Sequence, residues 1–498
     1  MHAFELAPAS PQPIHPGSYV HVDKGLREPL SALTMECWVR TWSLAQPQGL
    51  ISQGETGARL GLALCLGPKG EVIFFLGDGS SPVEALIHKT QPGVVENHKW
   101  HHVVARWDGK IKEVWVDGKL AGQWPFASIC AVGTDPIRLG AMSEKGSCDQ
   151  FLDGDLAAPA IYRRALSPDE ITQRLEAKGK IPALDDDMLA CWPLSEERGE
   201  KIADASRHQR HGRIINHATW MIGGPDFDST KVPRYGDYDP AKDGTRGHAL
   251  RFASDDLYDC RWKATHEWNV PVAAKSGLYI GRLHFEMDGK AHDYPVTFIV
   301  RRAEASRKAP MLVLCSTSTW LAYNSTPFSH TMPPGTLLTT SGYTNSHGGA
   351  PAYSCYRNHR AGQPAYQFGL RMPWPSAGPD VLYSPQSVGY SHLMRAERFL
   401  HVWLDKSGYE FDVVSDFDLH RDPDLLKGYR TIVINGHSEY WSRESYDQLD
   451  TFLSQGGSAL VLSGNTMFWR TTFSDDGSVM ECRKLDERIG GRNGAQVG

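Results

Sequence analysis

A chain of 498 residues, 41% of them hydrophobic, exceeds what one core ordinarily organises, so about two to four domains are expected. The formal net charge of -6 comes without any basic run, which excludes nucleic acid as the natural partner, and no stretch of about 18 apolar residues offers a membrane span. The nine cysteines are scattered, odd in number and without a CxxC pair, which fits reduced thiols in a cytoplasmic protein and provides no zinc knuckle.

The N-terminal MHAFELAPASPQPIHPG lacks both a basic n-region and an apolar h-region, so it does not read as a signal peptide. Short strands then follow at regular spacing: 19–22, 33–42, 49–53, 60–66, 71–77, 101–107 and 113–116. Gly-rich turns separate them, which predicts an all-β sandwich or barrel. Asp108-Gly109 and Asp117-Gly118 are hairpin signals, because both residue types tolerate positive φ.

The segments TMECWVRTW, WHHVVARWDG, VWVDGKLAG and LDGDLAAPAIYRRALSPDEI, in that order, resemble the concanavalin-like or laminin-G jelly roll, a lectin-like module. The resemblance spans residues 17–220. Function lives in sites grafted onto folds, so the expected role is structural or in assembly, with a sugar or calcium site as the alternative. Asp153 and Asp155 are the candidate calcium ligands; the plainer expectation for both is a solvated turn.

Residues 221–247, rich in Gly, Asp and Pro and without periodicity, read as a linker. Residues 248–308 alternate polar and apolar through ALRF, SGLYIGRLHFEM and PVTFIVRR, which predicts a small β-sandwich segment. From 309 to 498 strands alternate with helices, the pattern of a parallel α/β sheet with right-handed crossovers. Strands are expected at 311–314, 411–414, 431–434 and 459–462. One helix is expected from 391 to 406 with Leu393, Phe399, Leu400, Trp403 and Leu404 on its apolar face, and another from Ser442 with Tyr446, Leu449, Phe452 and Leu453 on one face. The long stretch 320–389, rich in Tyr, Pro, Gly, Ser and His, reads as a structured cover over an active site.

The segment RTIVINGHSEYWS organises this half. It is a buried strand that ends in a polar turn carrying His437, Glu439 and Tyr440 and then starts a helix. In open parallel sheets, ligands bind beyond the carboxyl ends of the strands. Tyr323, His437, Glu439 and Asn465 all follow such ends, so one cleft can collect them. Taken singly, each has a plain structural reading: a core tyrosine, a hydrogen-bonded histidine, a glutamate favouring a helix N-terminus, and an asparagine in a turn.

STSTWLAYN, YQFGLRMPWP, GYEFDVVSDFDLHRDPDLLKGYRTIVINGHSEYWS and GGSALVLSGNTMFWR resemble the large (beta) subunit of the N,N-dimethylformamidase family, over essentially the whole chain. The resemblance implies a lectin-like domain, a small β segment and a flavodoxin-like or glutamine-amidotransferase-like α/β domain. It also implies hydrolysis of a small N-substituted amide at a mononuclear iron, taken as ferric, bound by two tyrosines and a glutamate with a histidine and an asparagine nearby. Carried over by motif, the ligands are Glu439, Tyr323 and Tyr366, and the supporting residues are His437 and Asn465. Tyr356 and Tyr353 are the alternatives to Tyr366, because Gln367 stands after that tyrosine where a small residue is expected.

The family further implies a small helical partner subunit and association between large subunits. Its large subunits also continue beyond the point where this chain ends in GGRNGAQVG, so a truncated α/β domain is expected, without a closing strand or helix after Trp469.

The implied chemistry is coherent. Phenolate and carboxylate are hard oxygen donors that suit a hard cation. A free tyrosine has a pKa near 10, so ligation at neutral pH requires the cation to displace the proton. Open coordination positions would polarise a carbonyl and acidify a water. Two other readings stay open. A cysteine nucleophile would need a strand-to-helix elbow of the Gly-x-Cys-x-Gly kind, which neither Cys315 in LCSTS nor Cys355 in YSCYR provides. A carbohydrate-binding or interaction protein with a catalytically silent α/β domain would purify without iron.

Overall fold

The computed structural model describes residues 4–5, 13–14, 16–144, 147–180, 182, 184–227, 248–264, 266–324, 353–355, 359–380 and 392–483. The chain forms two compact units, Met1–Arg261 with His359–Pro364 and Trp262–Asn358 with Ala365–Lys484. Among the described residues no helix is long and apolar enough to cross a membrane.

In the first unit two antiparallel sheets of eight strands enclose one core. One sheet runs Lys119–Pro125, Ile111–Val116, Trp100–Trp107, Leu33–Thr41, Gly154–Tyr162, His248–Phe252, Thr219–Ile222, with Met188–Cys191 also paired to Gly154–Tyr162. The other contains Tyr19–Val22, Gln48–Glu55, Leu60–Leu66 and Val72–Leu76 among its strands. Leu33, Met35, Cys37 and Val39 enter the core from one face of their strand, as the alternation predicts. The opposite face is covered as well. Val104, Ala160 and Tyr162 pack there with Leu166 and with Ile171 of the helix Pro168–Glu176, whose N-terminus is closed by a Ser167/Glu170 capping box. The Asp117-Gly118 turn has φ of +50° and +72°, the primed geometry its sequence signals.

Three expectations for this half are corrected. The strand His248–Phe252 pairs with Gly154–Tyr162 and Thr219–Ile222, so ALRF completes the first sandwich instead of opening a second segment. His359–Pro364, expected in the α/β half, belongs to the first unit: His359 Nδ1 lies 2.8 Å from Asp255 Oδ1, and Gln363 Nε2 donates to the Phe252 carbonyl at 3.0 Å. Asp153 and Asp155 are buried, not solvated. Asp155 pairs with Arg40 at 2.7 Å and Arg251 at 2.8 Å, and Asp153 accepts from the Ser254 backbone at 2.7 Å.

The second unit opens on a ribbon, Gly277–Met287 paired with Lys290–Val300 and closed by Asp288 and Gly289, both at positive φ. It is two-stranded rather than a sandwich, and Phe285, Met287 and Val296 are exposed along it. Beyond it, Met311–Cys315 (β1), Phe411–Ser415 (β2), Thr431–His437 (β3) and Ser458–Gly464 (β4) form a parallel sheet in the order β2-β1-β3-β4. Helices Thr317–Ala322 (α1) and Met394–Lys406 (α2) follow β1, Asp416–Arg421 (α3) follows β2, and Arg443–Ser454 (α4) follows β3.

Leu312, Leu314, Ile432 and Ile434 pack with Leu449 and Phe452 of α4, whereas Val313, Cys315 and Val433 pack with Met394 and Leu404 of α2. Both faces of β1 and β3 are therefore buried, which is why these strands read as unbroken apolar runs. The helix faces differ from the expectation. The buried side of α2 carries Met394, Glu397, His401 and Leu404, leaving Phe399 and Trp403 exposed; on α4, Tyr446 and Leu453 are exposed. At the sheet edge, Leu460, Val461 and Leu462 of β4 are exposed too.

Strands do occur from Trp469 onward, in a second small sheet and not as a closing strand of the parallel one. Gln367–Gly369, Val479–Glu481, Trp469–Phe473 and Tyr440–Ser442 lie side by side in that order. Of the expected cover, 325–352, 356–358 and 381–391 lie outside the described residues.

Candidate functional site at the strand ends

β1 runs into Ser316 and then α1, a helix of six residues that ends at Tyr323. Thr319 and Tyr323 are one turn apart and so share a face. Both reach Glu439, which lies two residues beyond the end of β3: the Glu439 backbone N–H donates to Thr319 Oγ1 at 3.1 Å, and the Tyr323 hydroxyl donates to Glu439 Oε2 at 2.8 Å. The Glu439 carbonyl accepts from the backbone N–H groups of Phe468 and Trp469 at 3.0 and 2.9 Å, so the residue is held on both sides. Glu439 is 3% exposed and Tyr323 8%, which places this oxygen pair out of bulk water.

His437 closes β3. Its Nε2 lies 3.2 Å from the same Oε2 of Glu439. Its register partner in β4 is Gly464, and a Cβ at that glycine would stand 3.4 Å from His437 Nδ1, so the imidazole is closely walled on that side. A fourth group, missed in the sequence, completes the cluster. The His392 ring lies 4.7 Å, centroid to centroid, from the rings of both Tyr323 and His437. Burial, and then the neighbouring His437, hold its imidazolium down to about 4, so His392 is neutral at pH 7. The only available signal was its position immediately ahead of α2, in a connection that follows β1.

Three of the five expected residues, Tyr323, His437 and Glu439, therefore meet. Tyr366 and Asn465 are not drawn into this group by their described contacts. Tyr366 is buried, its carbonyl accepts from Cys482 N at 2.8 Å, and Arg483 lies over its ring at 5.8 Å. It precedes one edge of the small sheet whose other edge follows Glu439. Asn465 lies one residue past the His437–Gly464 pair with φ of +48° and is exposed at the rim. Of the alternatives, Tyr356 lies outside the described residues. Tyr353 lies close in sequence to Cys355, whose backbone N–H donates to the Ala322 carbonyl at 2.9 Å, beside Tyr323.

The donor chemistry fits a hard cation. A phenol oxygen and a carboxylate oxygen converge, with an imidazole at the same carboxylate, and these are oxygen-rich ligands of the kind such cations take. Among the described residues no group of three or more His, Cys, Asp and Glu side chains gathers to hold a metal. Cys315, at the end of β1, is fully buried, and burial first, then Glu397 and Asp416, push its thiol well above the ordinary range, which disfavours the thiolate a nucleophile needs.

Fold and site together define a two-unit protein. An antiparallel sandwich is joined to a parallel α/β sheet whose phenol, imidazole and carboxylate groups gather where open sheets bind ligands. Residues 229–497 match the N,N-dimethylformamidase beta subunit-like, C-terminal family, and residues 16–172 match the concanavalin A-like lectin/glucanases superfamily. The chain belongs to the N,N-dimethylformamidase beta subunit-like family.

Two relatives are both named N,N-dimethylformamidase beta subunit. The protein of Alcaligenes sp is 27% identical over 522 residues, covering 94% of this chain and 65% of the relative. That of Paracoccus aminophilus is 25% identical over 486 residues, covering 88% of this chain and 60% of the relative. The chain thus spans less than two thirds of the length of either. Among solved structures, the CBM40 of a Ruminococcus gnavus IT-sialidase bound to alpha2,3 sialyllactose is 21% identical and covers 32% of this chain and 94% of its own, with a TM-score of 0.28, too slight a likeness to argue from.

Proposed function

We propose that the protein is a hydrolase of a small N-substituted amide such as N,N-dimethylformamide, releasing formate and dimethylamine. Its centre is a mononuclear iron held by Tyr323, Glu439 and a second tyrosine, Tyr366. The observation that carries this reading is the 2.8 Å contact between the Tyr323 hydroxyl and Glu439, two oxygen donors 116 residues apart in the chain. The names of the two relatives support the reaction class. The parallel order β2-β1-β3-β4 supports a flavodoxin-like α/β unit, in which a fifth strand would follow β4.

A bound iron supplies Lewis acidity toward the amide carbonyl and an attacking water. The chain's own groups prepare the site. Tyr323 must shed its proton to become a ligand, and Glu439 Oε2 is already its acceptor. His437 Nε2, 3.2 Å from that oxygen, is placed to take a proton onward and to act as the general base. His392 presents an uncharged ring against both aromatic neighbours and so adds no repulsion toward a cation. In this reading Asn465, one residue past the His437–Gly464 pair, is the donor to the developing oxyanion.

Elemental analysis of purified protein and a screen of N-substituted formamides for released amine test the reading together. Glu439→Ala is expected to lose iron and activity at once; an active, iron-free variant would rule the mechanism out. Iron content of Tyr366→Phe and Tyr353→Phe identifies the second phenol. A small helical partner and association between large subunits are part of the same proposal, and sedimentation of the chain with and without co-expressed small subunit tests them.

A further inference from the structure

Glu397 lies in the first turn of α2 and is wholly buried. Its carboxyl accepts from Trp320 Nε1 at 2.8 Å and from the Ser316 backbone N–H at 3.3 Å to each oxygen. Ser316 immediately precedes α1, and Trp320 is three residues before Tyr323, so this carboxyl grips the short helix that delivers the phenol. The same side chain also backs the other half of the site. Gly436, immediately before His437, has φ of +76°, and a Cβ there would stand 2.6 Å from Glu397 Cγ; Asn435 Nδ2 donates to the Glu397 carbonyl at 3.1 Å. One residue of α2 thus touches both the α1 arm and the β3 arm.

We propose that Glu397 is a positioning residue that sets the spacing between α1, carrying Tyr323, and the end of β3, carrying His437 and Glu439. The inference rests on the metal-centre reading above for its consequence, though not for its geometry. A six-residue helix with one turn on either side of its bonds has little rigidity of its own. Its position against β3 is therefore set by cross-links, among them Thr319 and Tyr323 to Glu439, Ser316 and Trp320 to Glu397, and Thr317 and Ser318 to Asp416. Burial pushes the Glu397 carboxyl up to about 8, with Asp416 adding to the effect against the two donors, so it works at neutral pH as an uncharged acceptor. An acid retained in such a place acts through shape and hydrogen bonds, and glutamine, with the same length and an acceptor oxygen, can stand in for it.

The test uses the full chain as wild type, Glu397→Gln, Glu397→Ala and Trp320→Phe. Uptake of ferric iron from its nitrilotriacetate complex is followed by dialysis and by the phenolate-to-iron absorption band. Hydrogen exchange is measured on the cation-free proteins. Glu397→Ala is expected to weaken cation uptake about tenfold or more, as loss of groups behind metal ligands does, and to shift the band. It is also expected to speed exchange about tenfold across 316–323 and 436–440, while strand 33–41 is unchanged. Glu397→Gln should match wild type in every readout.

Wild-type behaviour of Glu397→Ala, or failure of Glu397→Gln alongside it, would overturn the proposal. If Glu397→Ala does not fold, Trp320→Phe carries the test: faster exchange at 436–440 supports the brace, and wild-type exchange refutes it. If the wild type takes up no iron, the functional reading fails, and exchange alone decides the role of Glu397.

Discussion

Two buried glutamates, one in each unit, have nearly the same company. In the sandwich, Glu36 accepts from Tyr162 at 2.6 Å and lies 2.9 Å from His102 Nε2; in the α/β unit, Glu439 accepts from Tyr323 at 2.8 Å and lies 3.2 Å from His437 Nε2. The difference is what stands beside them. Arg174 Nε sits 2.8 Å from Glu36 and supplies the balancing charge from the helix that covers the sheet. Burial alone would raise the Glu36 carboxyl, yet His102, Arg174 and Tyr162 together bring it down to about 2. The described side-chain partners of Glu439 are a phenol at the end of α1 and an imidazole at the end of β3. The same donors make a structural network with an arginine in the sandwich, and the proposed ligand set in the α/β unit.

The largest effect that would break or sharpen this comparison is expected from Glu36→Ala. It strands Arg174 in a buried site and should cost about 3–5 kcal/mol in urea unfolding of the sandwich; a loss below about 1 kcal/mol would show that the network is not structural. Glu439→Ala should invert the pattern, changing stability by about 1 kcal/mol or less while iron uptake disappears. Equal destabilisation by the two alanines would erase the distinction. Tyr162→Phe should cost about 1.5–3 kcal/mol, the range for a hydrogen bond to a charged group, with Tyr323→Phe well below it.

A pH series separates buried acids of opposite sign. Glu36 has its folded value below the ordinary 4.5, so its contribution is complete above 4.5 and is lost as pH falls toward about 2. Glu397 has its folded value above 4.5, so its contribution is complete below 4.5 and is lost as pH rises to about 8. Urea midpoints of Glu397→Gln should therefore fall less than wild type across that upper window; parallel curves would refute the assignment. The smallest effect is expected at the sheet edge. Leu460→Lys should shift stability by about 0.5 kcal/mol or less and reduce self-association in sedimentation, because a lysine blunts an exposed strand.

Much of this architecture was legible in order along the chain. The alternation of Leu33 to Val39 and the unbroken apolar runs at 311–314 and 431–434 record which faces of each strand are buried, and burial acts on neighbouring residues in a fixed period. The strand-end location of His437 and Glu439 followed from the same patterns. What could not be read was which segments meet. ALRF looked like the start of a new segment because its alternation is the same whichever sheet it joins. Phe399 and Trp403 misled because α2 has a second apolar stripe, while its buried face holds the polar Glu397 and His401.

The amino-acid order by itself determined the sandwich, the strand and helix succession and the polar turn after β3, since each follows from short-range periodicity and turn chemistry. Only the tertiary structure decided that Tyr323 meets Glu439, that His392 joins them, that Asp153 and Asp155 serve the sandwich's own bonds, and that Glu397 underlies both arms of the site. Those outcomes depend on side chains distant in sequence meeting in a low-dielectric interior. There each buried polar group must find a partner, and the set of available partners exists only once the chain has folded.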